Sequence, residues 1–143
     1  MKIKTAALFL SALLLTATLH AQTKKTVHHS RLKTTMARGK IVYNSICLAC
    51  HMADGNGVPT MNPPIVQTEY VLGDKTRLIK IVLNGFKEDV QINGQSFSNN
   101  MTPHKDLSDR QIADVLTFVR KSFGNKASSV SALEVKKVRA TNG

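Results

Sequence analysis

The sequence predicts an all-α fold of three to four main helices, and three observations predict it. Apolar residues recur at helical spacing in two long stretches, 36–48 and 107–123. Helix-start chemistry stands where such stretches begin: Asp74 as a single cap, Ser108 with Gln111 and Ser131 with Glu134 as capping boxes. The intervening segments are rich in Gly, Asn and Pro, with no regular strand–helix alternation.

The chain's chemistry centres on Cys47-Leu48-Ala49-Cys50-His51. Two cysteines separated by two residues, followed at once by histidine, form the attachment pattern of a c-type haem. Each thiol adds across a vinyl group, and one turn of helix spans the two vinyl positions. His51 then falls beneath the iron, where imidazole serves as proximal ligand. A zinc site would need four ligands, and the chain has only these two cysteines, with no His-x₃₋₅-His spacing among His28, His29 and His104. A thioredoxin-like dithiol would need a βαβ setting, which is missing around residue 47.

The 143 residues hold five Phe, two Tyr and no Trp, a thin aromatic supply for one core. A buried porphyrin would add the missing apolar surface. The net charge of +11 favours acidic partner surfaces. The basic residues are scattered and no nucleic-acid motif is present, so no nucleic-acid partner is expected.

In chain order, residues 1–21 resemble a secretory signal, with Lys2 and Lys4 before the apolar run Ala6 to Leu19 and Ala21 at the cleavage position. That run is shorter than the roughly 20 residues a spanning helix needs, so no transmembrane segment is expected in the mature chain. Export suits haem attachment, and a periplasmic location is expected. Residues 22–34 are polar and basic and are expected to be a flexible linker. Residues 35–124 form the expected domain, and 125–143 a linker with a short basic helix.

Within the domain, Met36 to Leu48 is the first helix, with Gly39 and Tyr43 one turn apart. Glycine inside a helix costs about 1 kcal/mol relative to alanine, and close approach of a second helix is its expected reason. Val58 to Ile65 is a proline-rich loop whose carbonyls can orient the His51 ring. Thr68 to Leu72 is a short turn of helix. Asp74 then caps a helix with Leu78, Ile81 and Val82 on one face, ending at Gly85. Asn93-Gly94 marks a tight turn between Ile92 and Phe97. Leu107 to Phe123 is the clearest helix, its stripe being Ile112, Val115, Leu116 and Val119.

Met101 is the leading candidate for the distal ligand. Met52 adjoins His51 and cannot reach the other face of the ring. Met61 lies in the loop expected on the proximal side, and Met36 precedes the first helix's motif. Met101 is fifty residues past His51, with ample chain to cross over. His104 is the rival donor.

Together these pieces resemble class I cytochromes c, especially the monohaem domains that serve bacterial periplasmic dehydrogenases and terminal oxidases. The resemblance covers residues 36 to 124. It rests on Gly39 and Tyr43, Cys47-Cys50-His51, Pro63-Pro64-Ile65, Ile92-Asn93-Gly94 before Met101, and the last helix with Val115-Leu116-Thr117-Phe118-Val119-Arg120. It implies a class I cytochrome c fold in which the first and last helices cross, setting Gly39 and Tyr43 against Leu116 and Phe118. It also implies one haem c bound through Cys47 and Cys50, a Pro63 carbonyl on the proximal imidazole, and His51 and Met101 as iron ligands. Two positions depart from the family pattern: Thr102 precedes Pro103 after the methionine, and Arg110 stands where an acidic residue is common.

The expected function is electron transfer with a dehydrogenase as donor or an oxidase as acceptor, by a monomer that is not an enzyme. A peroxidase-like catalyst or a gas sensor is the alternative. The first needs an open iron and a distal acid–base pair, yet His104 is the only histidine past the motif and no distal arginine accompanies it. The second needs an output domain.

Overall fold

The computed structural model describes residues 29–142. The chain divides into two units, Met1–Thr34 and Thr35–Gly143. In the first, residues 29–34 are helical, and the Thr34 hydroxyl donates to the Ser30 carbonyl at 3.1 Å. These residues belong to the segment 22–34 expected as a linker. With no Gly or Pro among them, local backbone hydrogen bonding proceeds although the apolar stripe is missing. Residues 22–28 and the expected signal at 1–21 lie outside the described residues.

The second unit opens with α1, residues 35–51, which carries the whole cysteine–histidine motif. Its centre, Tyr43–Cys47, is a π turn in which the Leu48 N–H reaches the Tyr43 carbonyl. The helix thus runs three residues beyond the expected end at Leu48. Then come α2, Glu69–Leu72, and α3, Lys75–Asn84. Asp74 is the expected cap of α3, accepting from Arg77 N–H at 2.7 Å, and Thr68, expected within the helical turn, caps α2 by accepting from Val71 N–H. Ile79 and Leu83 are more deeply buried than the expected stripe of Leu78, Ile81 and Val82.

A two-stranded antiparallel hairpin interrupts the helices: β1, Val90–Ile92, and β2, Gln95–Phe97, with Val90 opposite Phe97. Asn93 and Gly94 both have positive φ, 53° and 78°, as a two-residue hairpin turn requires. Val90, Ile92 and Phe97 face inward, where Tyr70 and Phe86 pack against them.

The long helix α4, Asp109–Lys121, starts at the expected Ser108/Gln111 capping box. It crosses α1 at Gly39, where a Cβ would drive into the Asp114 carbonyl and the Phe118 Cβ. That contact explains the glycine. Tyr43, Phe118 and Phe123 stack beside it, with ring centroids 5.3–5.7 Å apart. Arg38 adds a two-pronged ion pair to the Asp114 carboxylate.

The last helix, α5, Ala132–Ala140, starts at the expected Ser131/Glu134 capping box, in the segment expected to hold a short basic helix. Val130, Val135 and Val138 are buried in the main core, and α5 packs on both α3 and α4. Lys75 pairs with Glu134 at 2.8 Å, and Arg139 with Asp109 at 2.7 Å. Its valines at positions 135 and 138 lie one turn apart on the docked face. No helix among the described residues is long and apolar enough to cross a membrane.

Candidate functional site

A cleft of about 1460 Å³, counted out to its open mouth, runs into the core of the second unit. Its walls are mostly apolar: Leu78, Ile81 and Val82 from α3, Val115, Leu116 and Val119 from α4, and the inward residues of the hairpin. Cys47, Cys50 and His51 enter it from α1, Pro63 and Pro64 from the proline-rich loop, and Met101 and His104 from the segment before α4. All five sequence-predicted site residues therefore line one cleft.

The proximal side is held by a chain of hydrogen bonds. His51 Nδ1 lies 3.1 Å from the Pro63 carbonyl oxygen. A carbonyl only accepts, so Nδ1 carries the proton and donates, leaving the Nε2 lone pair free to bind a metal. Burial lowers the His51 pKa, and the Pro63 carbonyl restores part of it. The ring is thus favoured in its neutral, ligating form. Burial, then the neighbouring Cys50, pushes the Cys47 thiol up to about 11. Neither cysteine is in a disulfide.

The proline loop is held in turn by Asn125, which the sequence reading missed. This side chain is 3% exposed. It accepts from Gln67 N–H at 2.7 Å and donates to the Ile65 and Val119 carbonyls at 3.0 and 2.8 Å. Its only local signal is its place just after Gly124 at the end of α4.

Met101 sits in a bridge with Phe86. Each backbone N–H meets the other's carbonyl, at 2.8 Å from Met101 and 3.0 Å from Phe86. His104 N–H donates to the Val82 carbonyl at 2.9 Å. These bonds anchor the segment that departs from the family pattern at Thr102. Among the described residues no three His, Cys, Asp or Glu side chains converge on one point, so the zinc alternative finds no ligand set there.

The donor set suits a covalently attached porphyrin. Two thiols lie three residues apart on one helix, the adjacent imidazole has a defined tautomer, a thioether and a second imidazole line the same cleft, and apolar walls surround them. Comparison with known proteins agrees. The family described as Cytochrome c matches residues 36–123. The cytochrome c subunit of the quinone alcohol dehydrogenase of Gluconacetobacter polyoxogenes is 35% identical over 118 residues, 76% of this chain and 24% of that one. The gluconate 2-dehydrogenase cytochrome c subunit of Pantoea cypripedii is 35% identical over 105 residues, 71% of this chain and 24% of that one. Cytochrome c-552 of Thermus thermophilus is 29% identical over 118 residues, 76% of this chain and 79% of that one. The chain spans about a quarter of the length of the two dehydrogenase subunits. A match that takes in α1 with its cysteine–histidine motif, the cleft and all of α4 places this chain in the cytochrome c family, as an electron-transport protein with covalent haem c.

Proposed function

We propose that this chain is an exported, monomeric carrier of single electrons, its haem bound through Cys47 and Cys50 and ligated by His51 and Met101. The observation that carries the reading is the meeting of these four side chains in one apolar cleft, with His51 Nδ1 tied to the Pro63 carbonyl. The haem, when bound, supplies an iron that alternates between ferrous and ferric states. The chain's residues govern that exchange. Pro63 fixes the tautomer and angle of His51, as outer partners of metal-bound histidines do. The Met101 thioether favours the ferrous form, and the cleft's apolar walls keep water from the buried face. Held by both His51 and Met101, the iron would have no position left for a substrate, which supports a carrier rather than an enzyme.

The relatives support a partner class. Two of them are named as cytochrome subunits of alcohol and gluconate dehydrogenases, which supports a dehydrogenase as electron donor here. The net charge of +11 suits acidic docking surfaces on such a partner. The apolar run at Ala6 to Leu19 behind Lys2 and Lys4 supports export to the periplasm.

Met101→Ala tests the ligand set. The ferric protein should show the weak far-red sulfur-to-iron charge-transfer band, and the variant should lose it. The variant should also have a lower reduction potential and bind carbon monoxide, with haem attachment intact. His104→Ala should do none of these. If His104→Ala removes the sixth ligand while Met101→Ala leaves the band in place, the assignment is wrong. Ready binding of carbon monoxide by the unaltered protein would favour an open-iron catalyst or sensor.

A further inference from the structure

The backbone directly after His51 is strained. Met52 has φ 63° and ψ 168°, a combination that side-chain-bearing residues avoid and glycine tolerates. Such a residue persists only where its surroundings impose it. Three hydrogen bonds do so here. Met52 N–H donates to the Leu48 carbonyl at 2.9 Å, and the Met52 carbonyl accepts from Gly55 N–H at 3.3 Å. The shortest of the three comes from outside the turn: the Tyr43 hydroxyl donates to the Met52 carbonyl at 2.6 Å.

Tyr43 is well placed to impose a geometry. It is 2% exposed and wedged between Phe118 and Phe123, so its ring is anchored to α4 and to the residues that follow it. It also opens the π turn, its own carbonyl receiving the Leu48 N–H. Tyr43 therefore grips the motif at two points, through its carbonyl at Leu48 and through its hydroxyl at Met52. Between those points lie Ala49, Cys50 and His51.

We propose that Tyr43 is a positioning residue for the proximal imidazole, its hydroxyl holding Met52 in the strained turn so that the backbone of His51 keeps one orientation relative to the cleft. Pro63 sets the ring from its Nδ1 side, and Tyr43 sets the main chain that carries it. Phenylalanine at position 43 would fill the same aromatic cluster and lack only this second grip. The proposal rests on His51 being an axial ligand, and its test separates the two claims.

The experiment is NMR of the ferric holoprotein, labelled with nitrogen-15 at histidine, for the wild type, Tyr43→Phe, Met52→Gly and the double variant. A hyperfine-shifted His51 nitrogen in the wild type reports ligation by itself, and its absence would overturn the ligand reading. Given that signal, Tyr43→Phe should shift the haem methyl resonances and the His51 nitrogen while haem remains attached, because those shifts follow the orientation of the imidazole plane. The same Tyr43→Phe change made on Met52→Gly should shift them less, since glycine adopts this turn without being forced. If Tyr43→Phe lowers the unfolding midpoint but leaves the resonances in place, the hydroxyl only stabilises the fold and the proposal falls. An equal shift in both backgrounds would overturn the role assigned to the strained Met52.

Discussion

Replacing Arg120 with methionine keeps an unbranched side chain of similar helix propensity but removes the guanidinium. That group is 3% exposed and donates to four oxygens: the carbonyls of Val71, Gly73 and Ser128 and the Ser128 hydroxyl. It thereby ties the α2–α3 junction to α4 and to the segment leading into α5. Among the described residues no carboxylate forms an ion pair with it; burial lowers its pKa, and the charges of Glu134 and Asp74 restore part of it. Hydrogen bonds from a charged donor contribute about 1.5–3 kcal/mol each, and an orphaned buried carbonyl costs about 1–3 kcal/mol. Three carbonyls would be orphaned, but relief from burying a charge offsets part of the loss. A net destabilisation of about 3 kcal/mol is expected. With a guanidinium chloride slope of about 4 kcal/mol per molar, the midpoint should fall by about 0.8 M. Equilibrium unfolding of the holoprotein, followed by far-ultraviolet circular dichroism, measures this directly. A loss below about 1 kcal/mol would mean that water or the neighbouring chain satisfies those carbonyls, refuting the view of Arg120 as a structural tie.

Two further outcomes follow from the packing and the charges. Gly39→Ala places a methyl group into the Asp114 carbonyl and Phe118, so the overpacking should outweigh alanine's helix advantage and cost about 2 kcal/mol in the same unfolding assay. Burial raises the Glu134 pKa, but the Lys75 ammonium, the Ser131 N–H and hydroxyl, and the Lys75 charge outweigh it and bring the pKa from 4.5 down to about 2. The stability this carboxylate contributes is therefore present above pH 4.5 and lost as the pH falls toward 2. Because 41% of the side chain is exposed, solvent screening leaves about 1 kcal/mol of it. Glu134→Gln should be less stable by that amount at neutral pH, and the gap should close below pH 4.5 in urea titrations across a pH series.

The features legible in the sequence were those encoded within a few residues of one another. The Cys47–His51 motif needs one helical turn, the capping boxes at Ser108 and Ser131 need three residues, and the Asn93-Gly94 turn needs two. Each was read from local spacing and each took its expected local form. Gly39 was an intermediate case: its misfit in a helix signalled a close approach, and the family resemblance named Phe118 as a neighbour, whereas the backbone of Asp114 emerged only from the fold. Tertiary structure alone decided the rest. Arg38 meets Asp114 from 76 residues away, and Arg120 reaches the Val71 carbonyl across 49. Asn125 holds the Ile65 carbonyl, and the Tyr43 hydroxyl clamps Met52. On a helix drawn by itself, Asp114, Thr117 and Arg120 are polar and belong in solvent. They are buried here because distant carbonyls, hydroxyls and charges arrive to satisfy them, and a polar group is stable inside a protein only where such partners exist. α5 obeys the same logic, since its valines find a core only after α3 and α4 have come together. Local spacing can specify a motif, but whether a polar or tail residue is buried depends on partners that the folded chain alone brings within reach.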